Sequence, residues 1–282
     1  MIAIKATACF FGAFALAVGF LFLLKDLMGT RPFLKPNYAG REIPGYAGIV
    51  FFPCMVLMFL ASALIPFIRD KSDGWIRVYA LLSGMCMLGL TDDVFGTSHQ
   101  KGFGGHIGSL ARGRITTGAL KAMGGFALSI AVLLPYSVPR WEVLVNASIT
   151  ALSANLFNLL DMRPGRALKA FFPLFGLVVF LLKDSGAGVL CPVCASAGIA
   201  LALFPGDLRE IHMMGDAGSN VIGATIGFGI CAGLIESLPW RIVALIIVAF
   251  LNLLSEWYSF TKIIESSKIL SWIDNAGRKS WE

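Results

Sequence analysis

Nine mostly apolar runs, divided by short polar connections, restrict this chain more than any other feature of its sequence. An α-helix rises 1.5 Å per residue, so about 20 apolar residues cross the hydrocarbon of a bilayer. That ruler places spans at Ile2 to Leu24, Tyr46 to Ile68, Ile76 to Thr91, Thr116 to Pro135, Trp141 to Leu160, Leu168 to Leu182, Ala187 to Phe204, Ser219 to Leu238 and Trp240 to Phe260. The expected class is all-α: a polytopic transmembrane helical bundle of nine to ten spans. Soluble domains carry about a quarter charged residues, whereas here 14% are charged and 57% hydrophobic. No separate soluble domain is visible. Residues 1–260 read as one integral membrane domain, and residues 261–282 as an amphipathic tail on the inner leaflet, with Lys262, Lys268, Arg278 and Lys279 among Ile263, Ile264, Ile269, Leu270, Trp272 and Ile273. Ile2 to Leu24 lacks a strongly basic start and a small-residue cleavage site, so it is expected to stay as a span.

Charge then gives orientation. The net charge is +6, and most of the 23 lysines and arginines fall in alternate loops, including Lys35, Arg41, Lys101, Arg112, Arg163, Arg209 and the tail. Loops rich in Lys and Arg stay cytoplasmic, which predicts an outside N-terminus and a cytoplasmic C-terminus. The basic residues form no run and have no aromatic interleaving, so they point to lipid headgroups, with no nucleic-acid partner expected. Six cysteines lie mostly in apolar runs, where thiols behave as small hydrophobes; Cys191-Pro-Val-Cys194 has no second pair.

The acids gather on the cytoplasmic side of this topology. Asp92 and Asp93 stand together at the end of the third span, and ionised groups at the edge of hydrocarbon require solvent or a cation. Glycine-rich, basic sequence follows, from Lys101 through His106 to Arg112 and Arg114, a composition that suits a Mg²⁺ and diphosphate site. Lys121, one turn into the next span, needs an acid or the same polar face. Asn155, Asn158 and Asp161 recur every third residue at the end of the fifth span, a spacing expected to set them along one helix face, and Arg163 and Arg166 follow with guanidinium forks. In the first loop, Lys35, Asn37 and Arg41 offer donors to phosphate. Before the eighth span, Gly215-Asp216-Ala217-Gly218-Ser219 puts a carboxylate between glycines at a helix start, with Ser219 expected as N-cap.

Asp92-Asp93, Asn155-x-x-Asn158-x-x-Asp161 and Gly215-Asp216-x-Gly218-Ser219, in that order, resemble the polyprenyl-phosphate N-acetylhexosamine-1-phosphate transferases. These are the enzymes that make lipid I of peptidoglycan and the N-acetylglucosamine starters of teichoic acid and O-antigen. The resemblance implies a multi-pass protein of the bacterial plasma membrane with its active site facing the cytoplasm. It implies transfer of a sugar-1-phosphate from a nucleotide sugar, usually a UDP sugar, to polyprenyl phosphate, with release of the nucleoside monophosphate. It also implies a Mg²⁺ cofactor, with Mn²⁺ as substitute, and a homodimer by analogy. By motif, Asp216 and Asp92 are the expected metal ligands, and Asp92, Asp93 and Asp161 the catalytic acids. Lys35, Asn37, Lys121, Asn155, Asn158, Arg163, Arg166, Gly218 and Ser219 are the expected substrate-binding residues.

Two departures stand beside the resemblance. The family continues after the Asp161 position with Gly-x-Asp-Gly, but Met162-Arg163-Pro164-Gly165 stands here. The family's histidine-rich motif near the C-terminus is replaced by Glu256-Trp257-Tyr258-Ser259-Phe260, and the histidines, His99, His106 and His212, lie elsewhere. A divergent transferase with altered donor specificity is the expected reading, in which Arg163 or Arg166 meets the donor. The alternative is a non-catalytic lipid-phosphate-binding homologue or a transporter in envelope assembly, although no inverted repeat supports transport.

Overall fold

A computed structural model describes residues 1–68, 74–96, 116–137 and 139–278. The basic, glycine-rich stretch from Lys101 to Arg114, with His99 and His106, lies outside the described residues, as do Lys71 and Lys279.

Nine long helices among the described residues fall at the nine expected places. They are α1 (Ile2–Leu23), α2 (Phe51–Leu64), α3 (Gly74–Phe95), α4 (Thr117–Leu133), α5 (Glu142–Leu160), α6 (Arg166–Leu181), α7 (Ala187–Leu208), α8 (Gly215–Gly233) and α9 (Leu238–Trp257). Two short helices, α10 (Phe260–Ser266) and α11 (Lys268–Asn275), follow. Six segments, α1, α3, α5, α7, α9 and Ala47–Leu64 around α2, are long and apolar enough to cross a membrane. The outer helices expose large apolar side chains such as Phe22 at 78% and Ile246 at 62%, the inversion of a soluble surface that lipid requires. The protein is a helical membrane bundle.

At its centre stands α8, buried from Ala217 to Gly229 and packed against α3, α5, α6 and α7. Without a hydrophobic drive between helices in lipid, close backbone packing holds them, and small residues permit it. A Cβ placed on Gly223 would lie 2.5 Å from the Ser153 carbonyl of α5. On α3, a Cβ placed on Gly89 would lie 2.2 Å from the Asp216 carbonyl oxygen. This crossing is what sets Asp92 and Asp93 beside the start of α8. Because the obstacle is backbone, Gly89→Ala is expected to force the helices apart at a cost of about 1–3 kcal/mol. Thermal unfolding in detergent reads it; an unchanged melting temperature would mean that the helices part freely there.

Three details differ from the sequence reading. Helix α3 continues to Phe95, past Thr91, so Asp92 and Asp93 sit on its last turn, about 100° apart around the axis. Helix α8 starts at Gly215 with no side-chain cap of its own, so Ser219 is not its N-cap; instead Asp93 of α3 accepts the Ala217 N–H at 2.9 Å. A carboxylate from a neighbouring helix thus serves the free amides and favourable dipole of that end. The first loop is an antiparallel pair, β1 (Leu34–Pro36) and β2 (Glu42–Pro44), with Lys35 opposite Ile43.

Candidate functional site

Lys121 gathers the acids. Thr116 caps α4 by accepting the Ala119 N–H at 3.1 Å, which places Lys121 just inside the helix. Its Nζ lies 2.7 Å from Asp92 Oδ2 and 2.5 Å from Asp216 Oδ2. From α5, the Asn158 Nδ2 donates to the same Asp216 oxygen at 3.2 Å, and the Ser219 Oγ donates to Asn158 Oδ1 at 3.4 Å. These side chains are largely withdrawn from solvent, and charges so placed persist only when paired. Side chains of four helices therefore meet in one cluster around this ammonium group, at one end of the bundle.

Asp93 faces the other way. Its side chain caps α8, and its carbonyl accepts from Lys35 Nζ at 2.6 Å and from the Tyr46 hydroxyl at 3.0 Å. Lys35 also lies 4.8 Å from the centre of the Tyr46 ring. A cation at the C-terminal end of α3 complements the helix dipole, so the first loop is fastened to the acidic end by charge. Gly215, at φ 72°, has no room for a side chain between the Gly45 carbonyl and the Asp93 carboxylate.

Asp161 follows α5 and lines a cavity of about 40 Å³ with Asn37, Tyr38, Arg163, Asp207, Glu210 and His212. Burial raises its carboxyl pKa well above the ordinary value; the charges of Asp207, Asp216 and Asp93 add to this, and the Gly215 amide opposes it. Asp161 therefore keeps a proton more readily than a solvated carboxyl group does. Beside it, burial pushes His212 down to about 4 from 6.5, and its Nδ1 has no partner among the described residues. Between pH 6.5 and pH 4 the unfolded chain binds a proton at this position that the folded chain does not. Stability is accordingly expected to fall by roughly 3 kcal/mol as the pH drops through that window, and to level off below it. Melting curves at pH 7 and pH 4.5 should show a steeper loss for the native chain than for His212→Leu; equal losses would clear His212.

Several expected binding residues are occupied otherwise. Steps of three residues turn a helix by about 60° each, so Asn155 and Asp161 do not share a face. Asn155 donates to Asn252 of α9 at 2.7 Å, and only Asn158 meets Asp216. Asn37 shapes the turn between β1 and β2 by accepting the Ala39 and Arg41 amides at 2.9 Å each, and donates to Glu210 at 2.5 Å. Arg166 is buried, its Nε and Nη2 forked onto Asp274 at 2.9 and 2.8 Å. Gly218 lies inside α8 against Gly48, so its amide is no free anion donor. Arg163 stays at the cavity mouth, 4.6 Å from the centre of the Tyr38 ring and 3.5 Å from Glu265.

Asp92 and Asp216 offer the hard oxygen donors that a divalent cation takes, and the Lys121 ammonium stands between them. Asp92 Oδ2 and Asp216 Oδ2 already converge on one positive charge. Mg²⁺ commonly takes one or two carboxylates, completing its octahedron with water and substrate phosphate. No three His, Cys, Asp or Glu side chains group as a metal site among the described residues, so the fit is the two-carboxylate one. The expected ligands Asp92 and Asp216 are the pair the fold brings together.

Sequence reading passed over Tyr46, Asn252 and the pair Glu142 and Arg241. Asn252 sits in an apolar run, and a polar group at that depth was the available signal. Tyr46 gave none, since an aromatic beside a span is ordinary. Set against known proteins, the chain matches no family model and no curated sequence.

Proposed function

We propose that the chain is a Mg²⁺-dependent phosphoglycosyl transferase. In this reading it moves a sugar-1-phosphate from a nucleotide sugar of UDP-N-acetylhexosamine type to polyprenyl phosphate at the cytoplasmic membrane face, and starts a cell-envelope glycan. The nine helices are then nine spans, with the N-terminus outside and the C-terminus in the cytoplasm of a bacterium. One observation carries the proposal: Asp92, Lys121, Asn158 and Asp216, remote in sequence, meet as a paired charge cluster at one end of the bundle. Such a cluster suits a reaction that joins two anionic phosphates.

An oxygen of the lipid phosphate attacks the phosphorus bonded to the sugar oxygen, and the bond to the nucleoside phosphate breaks. Mg²⁺ held by Asp92 and Asp216 would offset the charge of the donor diphosphate and of the departing nucleoside monophosphate. Lys121 screens the two carboxylates from each other and has an ammonium suited to a phosphate oxygen. Asn158 orients Asp216, while Asp93 fixes the start of α8 on which Asp216 is carried. Asp161 holds a proton beside the cavity, and Arg163 at its mouth is the guanidinium left to meet donor phosphate. The test is release of nucleoside monophosphate by purified protein with undecaprenyl phosphate and Mg²⁺, across UDP, CDP and GDP sugars. Release from one donor supports the transferase. Silence from protein that still binds undecaprenyl phosphate supports the non-catalytic homologue, and silence without such binding leaves the transporter.

A further inference from the structure

The C-terminal helices do two things at once. On α11, Ile269, Trp272 and Ile273 occupy one arc and stand free of the bundle, Ile269 at 72% and Trp272 at 74% exposed. On the opposite side Asp274 is buried. It takes the fork of Arg166 and the Nη2 of Arg278 at 2.6 Å, while Arg278 Nε donates to the Pro164 carbonyl at 2.9 Å. Lys169 adds hydrogen bonds to the Asp274 and Ile273 carbonyls at 2.6 and 3.1 Å. Apart from the Arg278–Asp274 bond, which lies within the tail, these bonds join the tail to the stretch from Pro164 to Lys169, shortly after Asp161.

What covers the apolar arc follows from its position. The tail leaves α9, a helix with little burial in the bundle, through Trp257 and Tyr258, both well exposed. The chain thus enters the tail from a helix that leaves most of its surface open to lipid. An apolar arc with lysines beside it, here the exposed Lys262 and Lys268, is the pattern of a helix lying in the headgroup region of anionic lipid. A second protein would need complementary acidic and apolar surface; the bilayer already runs alongside.

We infer that α10 and α11 form a strap seated in anionic headgroups, and that Asp274 is the positioning residue through which this seating holds the segment from Asp161 to Arg166. The inference needs the membrane character of the bundle and not the transferase reading, so its test is structural. All six native cysteines are buried, which leaves introduced ones free for labelling. A nitroxide at Ile269→Cys, in full-length protein reconstituted with phosphatidylglycerol and phosphatidylethanolamine, should meet oxygen more than a water-soluble nickel chelate. A nitroxide at Ser271→Cys should show the reverse. Equal chelate access at both positions would overturn the seating.

Transmission is read by the distance distribution between labels at Met162→Cys and Asn275→Cys. It should be narrow on the anionic bilayer and at least twice as wide on phosphatidylcholine. The same widening is expected for Asp274→Asn, and for Ile269→Ser with Trp272→Ser, while Asp274→Glu keeps much of the narrow form. A width indifferent to all of these, in protein that elutes as a single species, would overturn the coupling; indifference to lipid charge alone would overturn the anionic preference.

Discussion

In the proposed transferase, Asp216→Asn is expected to cut nucleoside monophosphate release by at least about a hundredfold, the scale on which preorganised charge acts in phosphate chemistry. The substitution is isosteric; it removes the charge and turns one acceptor oxygen into an amide donor. The backbone of Asp216 is held by its crossing with Gly89 and by the Asp93 cap on Ala217, so the helix start should survive. What goes is one of the two carboxylates on Lys121, and with it half of the proposed cation ligands. The variant should therefore need more Mg²⁺ to reach its lower rate, while its melting temperature changes little. Full activity at ordinary Mg²⁺ would exclude Asp216 as a ligand, and a collapsed melting temperature would reassign it to the scaffold.

The second large effect lies at the far end of the bundle and touches stability alone. Arg241, in the first turn of α9, is almost wholly buried; its Nη2 pairs with Glu142, and its Nη1 donates to Asn146 Oδ1 at 3.0 Å. Arg241→Met leaves the Glu142 carboxylate buried without its partner, which is expected to cost about 3–5 kcal/mol. For a chain of this size that is a fall of roughly 10 °C in melting temperature. Adding Glu142→Gln removes the stranded charge and should recover much of the loss. If the double variant melts as low as the single one, packing of the arginine stem outweighs the ion pair. The proposed release of nucleoside monophosphate by the folded fraction should be unchanged, because Glu142 and Asn158, the α5 contacts of the two sites, stand about 24 Å apart along the helix.

The helices were legible because lipid demands long apolar runs, and their positions follow almost directly from that demand. Lys121 was legible because an ionised group inside a span needs a partner, and Asp216 because a carboxylate stood between glycines at a helix start; the fold makes them partners. The side chains that misled share another trait. Asn37, Asn155 and Arg166 have donors suited to phosphate, yet those donors are spent on Glu210, Asn252 and Asp274, which lie far away in sequence. Only the tertiary arrangement says whether a polar group is free. Asp93 is the sharpest case, since its likeness to Asp92 hides a different task, and one residue of helical rotation separates the two.

The polar seam of α5 has a consequence for how the chain is made. Helices enter the membrane in chain order during synthesis, and each must be tolerated by lipid before later ones arrive. Glu142, Asn155 and Asn158 meet Arg241, Asn252 and Ser219 only once α8 and α9 are in place. Until then these three side chains of α5 lack the partners that the folded bundle gives them. Those partners are translated some sixty to a hundred residues later, so a chain cut short of Leu238 is expected to hold its fifth helix less firmly.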